Sequence, residues 1–305
     1  MVSILVPVYN RKEELLKLLE SFVDEFFNNK IDFEVIIIDD LSDDGSYEVA
    51  KKYSEEYNFF QLISSGYKSP GMSRNIGAKI ARYEWLLYCD SDNMMVRNWT
   101  NLIYSILKTH KDYDGIWFPA RCNNKILTGN TYIEKGNHKI SPFYYFNNYI
   151  GEVVHCIKKE FLVNNQYYYL QGTSNDFPDL LWFHLFTNKN HKIIFYNLVI
   201  QEYFISSNNR ISTDCSIEKN YSQIVHYKLV LLEIIKTRYV FTKYFIKILI
   251  KFFFFILIVD DREKSLKYEV GILRWLSRIS FNIGLGNILL NKLLNKRKSN
   301  EGIIC

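Results

Sequence analysis

Trp-Leu-Leu-Tyr-Cys-Asp-Ser-Asp-Asn, at residues 85–93, is an apolar run that ends in two carboxylates two positions apart. An apolar run of this length, bounded by polar residues, is typical of a buried strand. In open α/β sheets ligands bind beyond the carboxyl ends of the strands, so we expect Asp90 and Asp92 to lie at a ligand-binding edge. Paired carboxylates suit Mg²⁺ or Mn²⁺, which usually bind proteins through one or two carboxylates together with substrate phosphates. An ordinary polar turn at the end of a strand can contain the same short pattern. The rest of the sequence must therefore distinguish a metal-binding pair from a polar turn.

Around this run, apolar strand-like segments alternate with helix-like segments. Strands are predicted at residues 3–8, 33–38, 60–63, 85–89 and 115–118, and helices at 46–57, 72–82 and 98–110. A further helix follows the first strand, and Asn10, with Glu13 three residues on, is predicted to cap it. The alternation predicts a parallel sheet flanked by helices. The glycine-rich turn of dinucleotide-binding folds and the Walker-type phosphate loop are both absent from the sequence.

Composition excludes several classes of protein. The chain has 305 residues, and its net charge of +5 is too mild to indicate nucleic-acid binding, for which no motif is present. Its five cysteines are scattered and odd in number, which argues against a disulfide framework or a zinc site and favours a reducing compartment. No signal peptide is predicted at the N-terminus. We therefore expect a cytoplasmic protein without a nucleic-acid partner.

The second half of the chain gives weaker signals. Residues 120–150 look irregular, strands are predicted at 152–157 and 193–196, and a helix is predicted to begin around Pro178, after Asp176 or Phe177. Residues 224–259 are apolar and helix-compatible, but Lys243, Lys247 and Lys251 fall on one helical face and interrupt a spanning run of about 20 apolar residues. The alternatives are a helix on a membrane surface and an amphipathic helix packed on the rest of the protein.

Four segments occur together in a recognisable order: Pro-Val-Tyr-Asn at 7–10, the run 35–46 that contains Asp-Asp-Leu-Ser-Asp-Asp-Gly-Ser, Gly-Met-Ser-Arg-Asn-Ile-Gly at 71–77, and Asp-Ser-Asp-Asn at 90–93. This combination resembles glycosyltransferase family 2, the inverting nucleotide-sugar transferases of bacterial surface polysaccharides. The resemblance implies a GT-A fold, a Rossmann-like mixed sheet flanked by helices, with a C-terminal helical, membrane-associated extension. It also implies a donor-binding half at 1–119, an acceptor-binding half of the same domain at 120–213, and a helical region at 214–305.

The resemblance gives roles to the residues of the Asp-x-Asp stretch. In the family the last Asp reaches the divalent ion, which is Asp92 here. Asp90 would contact the ribose or assist the metal. Arg74, at a helix start, would lie near the phosphates, where a cation and free backbone N–H groups both favour an anion.

The nucleotide-binding residues are implied in the same way. The carboxylates that end the second strand hold the base and ribose in the family, which indicates Asp40 and also Asp39, although Asp39 alternatively only caps the turn. Pro7 and Tyr9 would flank the base. The following residues 43–45 are interpreted as turn chemistry alone.

An inverting transfer is a single displacement, and it needs a general base to take the acceptor proton. In the family this base is an Asp, usually in a Glu-Asp pair that opens a helix. The counterpart here is Asp179, with Asp176 as its competitor, although Asp176 alternatively just caps the helix. Two features depart from the family: Pro178 replaces the usual Glu, and no His follows the last core strand, where Glu202 is the weak candidate for a replacement metal ligand.

Together these features predict an inverting transferase. It would move a sugar from a nucleotide-diphosphate sugar, with UDP-sugars favoured, to a hydroxyl of a glycan or a lipid-linked acceptor, assisted by Mn²⁺ or Mg²⁺. We expect it in the cytoplasm, peripheral at the inner face of the cell membrane. The alternative is a non-catalytic glycan-binding or scaffold protein on a decayed transferase fold. Three histidines, His155, His184 and His226, are interpreted as packing or surface residues.

Overall fold

The computed structural model describes residues 1–29, 31–148, 150–169, 178–187, 191–203, 217–235 and 242–258. The chain divides into two compact units. The first contains Met1–Tyr168 and Leu181–Ser206, and the second contains Tyr169–Leu180 and Ser207–Cys305. The domain limits proposed from the sequence, after residues 119 and 213, stay predictions.

The first unit contains both sheets. Its strands are β1 (Val2–Val8), β2 (Glu34–Asp39), β3 (Phe60–Ser64), β4 (Trp85–Tyr88), β5 (Asn93–Met95), β6 (Gly115–Pro119), β7 (Arg121–Cys122), β8 (Lys125–Ile126), β9 (His138–Ile140), β10 (Val153–Lys158), β11 (Ile193–Phe195) and β12 (Gln201–Tyr203). Its helices are α1 (Lys12–Asn28), α2 (Ser46–Glu56), α3 (Pro70–Ile80), α4 (Trp99–Thr109), α5 (Asn130–Lys135), α6 (Pro142–Asn147), α7 (Lys159–Asn164) and α8 (Pro178–Thr187), of which residues 181–187 belong to this unit. Every bounded strand and helix predicted up to residue 118 forms within two residues of its predicted limits.

The main sheet has eight strands in the order β3-β2-β1-β4-β10-β6-β11-β9. Strands β3, β2, β1 and β4 are parallel, as the alternation predicts. Strand β10 enters antiparallel between β4 and β6, and β9 pairs antiparallel with β11. The strands predicted up to residue 118 therefore run in one direction, and the antiparallel β10 between β4 and β6 makes the sheet mixed. The mixed sheet flanked by helices that the resemblance implied is confirmed.

The stretch at 120–150 is less irregular than its sequence indicates. It contains β7, β8 and β9 and the short helices α5 and α6. Strands β7 and β8 join β5 and β12 in a second sheet of order β5-β12-β7-β8. Because β5 begins immediately after Asp92, the Asp-x-Asp stretch connects the main sheet directly to this small sheet.

Helix α3 lies close to the main sheet because it contains a glycine at the contact. A Cβ atom at Gly77 would come within 2.9 Å of Leu5 Cδ2 on β1. Arg74 is one turn earlier on the same helical face, so this close approach brings its side chain down to the sheet. Ser69 caps the helix, accepting a hydrogen bond of 3.1 Å from the Met72 backbone N–H.

The start of helix α1 differs from the prediction. Arg11, not Asn10, is the N-cap residue, and its side chain makes no capping hydrogen bond. Asn10 adopts a left-handed backbone conformation with φ of 51° and donates a 2.7 Å hydrogen bond from Nδ2 to Asp43 Oδ1. The predicted cap is wrong because a residue of the distant turn after β2 binds the Asn10 side chain instead.

The second unit contains two described helices, α9 (Ile217–Ile235) and α10 (Lys243–Ile258), which pack against each other. Within the helix-compatible run at 224–259, the described residues are helical up to residue 235 and again from residue 243 to 258. Lys251 Nζ donates a 3.1 Å hydrogen bond to the Tyr227 hydroxyl across this pair. Lys243 and Lys247 are exposed. None of the described helices is both long and apolar enough to cross a bilayer.

Candidate active site

The predicted nucleotide-binding residues follow strands that end at one edge of the sheet. Val8 of β1 pairs with Asp39 of β2, and Leu5 of β1 pairs with Tyr88 of β4. Since these strands are parallel, the residues after Val8, Asp39 and Tyr88 emerge at the same edge. Pro7 is a buried residue of β1. Tyr9, the first residue beyond β1, has 47% of its surface exposed.

Asp39 has one carboxylate oxygen committed and one without a protein partner. Oδ2 accepts a 3.1 Å hydrogen bond from the Ser42 backbone N–H, so Asp39 does cap the turn after β2. Oδ1 is buried, and no residue in the described part of the chain donates a hydrogen bond to it. A buried acceptor without a donor is costly, so this oxygen would gain from any donor that reaches it.

Asp40 is fully engaged by the protein. Its carboxylate accepts hydrogen bonds from the Ser65 hydroxyl at 2.8 Å, from the Lys68 N–H at 2.9 Å and from the Ser69 N–H at 2.8 Å. These bonds tie the loop before α3 to the end of β2. Asp40 therefore fixes the position of the start of α3, and with it the position of Arg74.

Arg74 and Asp90, predicted separately, lie in contact. Arg74 Nη2 donates a 2.5 Å hydrogen bond to Asp90 Oδ1, and the guanidinium lies 4.9 Å above the ring centre of Tyr88. Burial raises the pKa of the Tyr88 phenol well above its usual value, so the ring beneath the cation is neutral. The Asp90 side chain is 45% exposed and the Arg74 side chain only 14%, so the carboxylate side of the pair faces solvent.

The turn that contains both carboxylates is held at its two ends. Asn93 N–H donates a 3.0 Å bond to the Asp90 carbonyl and closes the turn. Gln201 Nε2 donates a 2.8 Å bond to the Tyr88 carbonyl, and Gln201 Oε1 accepts one of 3.3 Å from Asn93 Nδ2. A single buried amide on β12 thus links the residues on either side of the turn. Asp92, inside the turn, is partly buried.

The remaining predicted residues are not all placed at this edge. Glu202 on β12 forms an ion pair with Arg121 on β7, so its carboxylate already has a cationic partner. Asp179 is the second residue of α8, and its side chain lies outside the described part of the structure, as does Asp176 altogether. In the described residues no three His, Cys, Asp or Glu side chains converge as a metal site.

A group of aromatic rings beside this edge was not predicted from the sequence. Tyr88, His155 and Trp117 lie next to one another on β4, β10 and β6, and Trp182 of α8 stacks on His155 with ring centres 4.3 Å apart. Burial and the nearby Arg74 charge lower the pKa of His155 to about 3. The local sequence did not reveal this ring cluster, because only the antiparallel pairing of β10 with β4 brings His155 beside Tyr88.

Comparisons with known proteins agree with this geometry. A family model described as Glycosyl transferase family 2 matches residues 3–169, more than half of the chain. An uncharacterized glycosyltransferase of Haemophilus influenzae is 32% identical over 133 residues, which cover 44% of this chain and 43% of that protein. The poly(ribitol-phosphate) β-glucosyltransferase of Bacillus spizizenii is 36% identical over 94 residues, or 30% of this chain and 15% of that protein. The chain thus spans less than half the length of these curated relatives.

A solved structure extends the likeness to most of the chain. The crystal structure of residues 1–349 of TarS from Staphylococcus aureus, in complex with UDP-GlcNAc, superposes with a TM-score of 0.62. The match covers 90% of this chain and 78% of that one at 17% sequence identity. At this low sequence identity, the likeness shows a shared fold and nothing more.

Proposed function

This chain belongs to glycosyl transferase family 2, and we propose that it transfers a sugar from a UDP-sugar to a hydroxyl of a cell-surface glycan or of its lipid-linked precursor. The observation that carries the proposal is the buried Asp39 Oδ1, which lacks a donor in the described residues and lies at the sheet edge where Tyr9, the residue after Val8, is exposed. A uracil base offers an imide N–H that would satisfy this oxygen and an aromatic face that would stack on the tyrosine. The TarS structure with bound UDP-GlcNAc, which shares this fold, supports the choice of donor.

The diphosphate would lie over the end of β4. Arg74 supplies a planar, permanently charged donor there, and the N-terminus of α3 adds the favourable end of a helix dipole. Asp92, assisted by Asp90, would hold Mg²⁺ or Mn²⁺, since hard carboxylate oxygens suit these ions and substrate phosphates complete their coordination. A bound divalent ion would neutralise the charge that develops on the departing diphosphate. We do not include Glu202 among the ligands, because it lies on β12 opposite Met94 rather than in the turn that contains Asp90 and Asp92, and its carboxylate binds Arg121.

The transfer itself is a displacement at the anomeric carbon. The acceptor oxygen forms a bond to that carbon while the bond to the UDP oxygen breaks with its electron pair, which inverts the configuration. The hydroxyl proton goes to a general base, for which Asp179 at the start of α8 is our candidate and Asp176 the competitor. UDP leaves as the free nucleotide.

A membrane-surface location at the cytoplasmic face completes the proposal. Helix α10 exposes Lys243, Ile246, Lys247 and Ile250, spaced i, i+3, i+4 and i+7 on one face. Apolar residues flanked by lysines on one exposed face suit the headgroup region of an anionic bilayer. An enzyme with a lipid-linked acceptor works at this boundary.

The decisive experiment measures UDP release from UDP-GlcNAc and UDP-glucose, with and without Mn²⁺. We expect metal-dependent release by the wild-type protein and loss of at least 100-fold in Asp92→Asn, because the ion loses its main protein ligand. Asp112→Asn makes the same chemical change in an exposed turn and should behave as wild type. Turnover that is absent, or equal with and without metal in all three proteins, would instead favour the non-catalytic glycan-binding or scaffold function.

A further inference from the structure

His155 is the accessible member of a buried ring cluster beside the proposed donor site. Its ring centre lies 4.9 Å from that of Trp117, 6.0 Å from that of Tyr88 and 4.3 Å from that of Trp182. The Trp182 plane is inclined by only 13° to the imidazole, so the two rings stack. Trp117, Trp182 and Tyr88 are 1%, 7% and 6% exposed, whereas His155 is partly exposed. The imidazole is thus the part of the cluster that a ligand can touch.

The imidazole still has hydrogen-bonding capacity to offer. In the described residues neither ring nitrogen of His155 makes a hydrogen bond to protein, although three aromatic rings fix the orientation of the imidazole. Because its pKa is lowered to about 3, the ring is neutral at physiological pH and presents one N–H donor and one acceptor nitrogen. This pairing of donor and acceptor on a rigid support suits a hydroxyl group, which likewise donates and accepts.

The strand order places His155 beyond the phosphate position. From Asp39 on β2, the sheet passes through β1 to β4, where Arg74 and Asp90 meet, and next to β10, which carries His155. Neighbouring strands are about 4.8 Å apart, so β10 is one strand spacing past the proposed diphosphate. A nucleotide sugar laid along this edge with its base at Asp39 and its phosphates at Arg74 brings its sugar toward β10.

We propose that His155 is a specificity-determining residue that hydrogen-bonds a hydroxyl of the donor sugar, with Trp182 and Trp117 holding the imidazole in place. This inference rests on the proposed function, because it needs a nucleotide sugar at the same edge. His155, which looks like a packing residue in the sequence, would thus distinguish a UDP-sugar from UDP. The nucleotide itself does not reach His155 in this arrangement, so substitution of His155 should not change the affinity for UDP alone.

The test compares UDP with UDP-GlcNAc and UDP-glucose as ligands in calorimetric titrations of the full chain. His155→Phe keeps a flat ring for Trp182 but removes both hydrogen-bonding nitrogens, and His155→Gln keeps a donor and an acceptor. We expect His155→Phe to weaken binding of the preferred UDP-sugar about 10-fold while UDP binding stays within about 2-fold of wild type. His155→Gln should recover most of the lost affinity, which a merely structural role for the ring would not produce.

The outcomes separate this inference from the proposed function. If wild-type protein binds neither UDP nor a UDP-sugar, the proposed function fails and this inference fails with it. If wild type binds a UDP-sugar and His155→Phe binds it equally well, only the inference fails. An equal loss of UDP and UDP-sugar affinity in both variants would also overturn it, since that result assigns His155 to the structure of the site rather than to the sugar.

Discussion

The guanidinium of Arg74 on α3 and the carboxylate of Asp90 beyond β4 are 2.5 Å apart, and the guanidinium lies over the Tyr88 ring. Two contacts of different kinds, a charge-assisted hydrogen bond and a cation–π contact, thus fix one cation at the edge where the diphosphate is proposed to bind. A cation that is already oriented loses little conformational entropy when an anion arrives. The pair also prevents Asp90 from acting as a bare negative charge next to phosphate.

Arg74→Lys should impair donor use although the positive charge remains. A lysine ammonium is a flexible point charge that cannot make the planar contacts that Arg74 makes with Asp90 and Tyr88. We expect kcat/KM for the UDP-sugar to fall about 10- to 100-fold, measured by release of UDP. Arg97→Lys, at an exposed position after β5, is the matched control and should not change it. Equal activity of the two variants would show that the guanidinium of Arg74 does not contribute to donor binding.

Asp39→Asn should weaken UDP binding about 10-fold. The substitution keeps the size of the side chain but replaces the buried carboxylate by a neutral amide, a weaker acceptor for the proposed imide N–H. Asp43→Asn changes an exposed carboxylate of the following turn and provides the comparison. Titration calorimetry with UDP measures both. Unchanged affinity in Asp39→Asn would show that Oδ1 does not contact the base.

Glu25→Ala should destabilise the fold without touching the proposed site. Glu25 on α1 is buried, and its carboxylate accepts bonds from the Asn98 N–H at 3.1 Å, the Thr100 N–H at 3.0 Å and the Thr100 hydroxyl at 2.6 Å. It thus caps α4, whose own N-cap side chain makes no capping bond. Removing it leaves these donors, of which the two on Thr100 are buried, without their acceptor, at a cost of about 2–4 kcal/mol in the free energy of unfolding. Urea unfolding measures this cost, and the exposed Glu20→Ala should stay within about 0.5 kcal/mol of wild type.

Acid should destabilise the protein partly through His155. Burial, aided by the Arg74 charge, lowers the pKa of the folded imidazole to about 3, whereas an unfolded histidine titrates near 6.5. Between these values the unfolded chain binds a proton that the folded chain excludes, so stability is complete above about pH 6.5 and falls as the pH decreases. His155→Phe should therefore reduce the slope of unfolding free energy against pH by up to about 1.4 kcal/mol per unit between pH 6 and 4. Parallel slopes in the two proteins would contradict an imidazole that stays neutral in the folded state.

Reversing charge on α10 should weaken membrane binding. Each lysine near an anionic surface contributes about 1 kcal/mol, so we expect Lys243→Glu/Lys247→Glu to bind phosphatidylserine-containing vesicles at least 10-fold more weakly than wild type. Lys51→Glu/Lys52→Glu reverses two exposed charges on α2 as a control. Co-sedimentation with vesicles with and without phosphatidylserine measures the difference. If both double variants bind as wild type does, the α10 face is not the membrane contact.

The elements of residues 3–118 were predictable because their signals are local. Each strand of residues 3–118 is an apolar run bounded by polar or turn residues, and each helix has its own period, so their limits follow from short-range rules. Pairing of Asn10 with Asp43 was not predictable in this way, because a contact between residues 33 positions apart overrides the local capping pattern. The same holds for Arg74 and Asp90, whose separate assignments gave no indication that they bind each other.

The second half was less predictable because its elements are short and depend on pairing. Strands β7 and β8 have two residues each, too few to show any periodicity. The position of His155 beside Tyr88 depends on an antiparallel strand that enters between two others, and no property of the residues at 153–158 specifies that neighbour. The role of Gln201 as a link across the Asp-x-Asp turn likewise appears only once β12 has paired with β5.

Strand β10 has a consequence for how the chain reaches its folded state. It hydrogen-bonds β4 on one side and β6 on the other, and its partner Leu87 on β4 precedes Cys156 by 69 positions. Contacts so distant in sequence form slowly, because a long loop must close before they contribute. Strand β4 therefore stays an open edge until β10 docks, and an unpaired apolar edge can recruit another molecule. Newly synthesised protein should thus be most prone to aggregation before its residues 153–158 have emerged and paired.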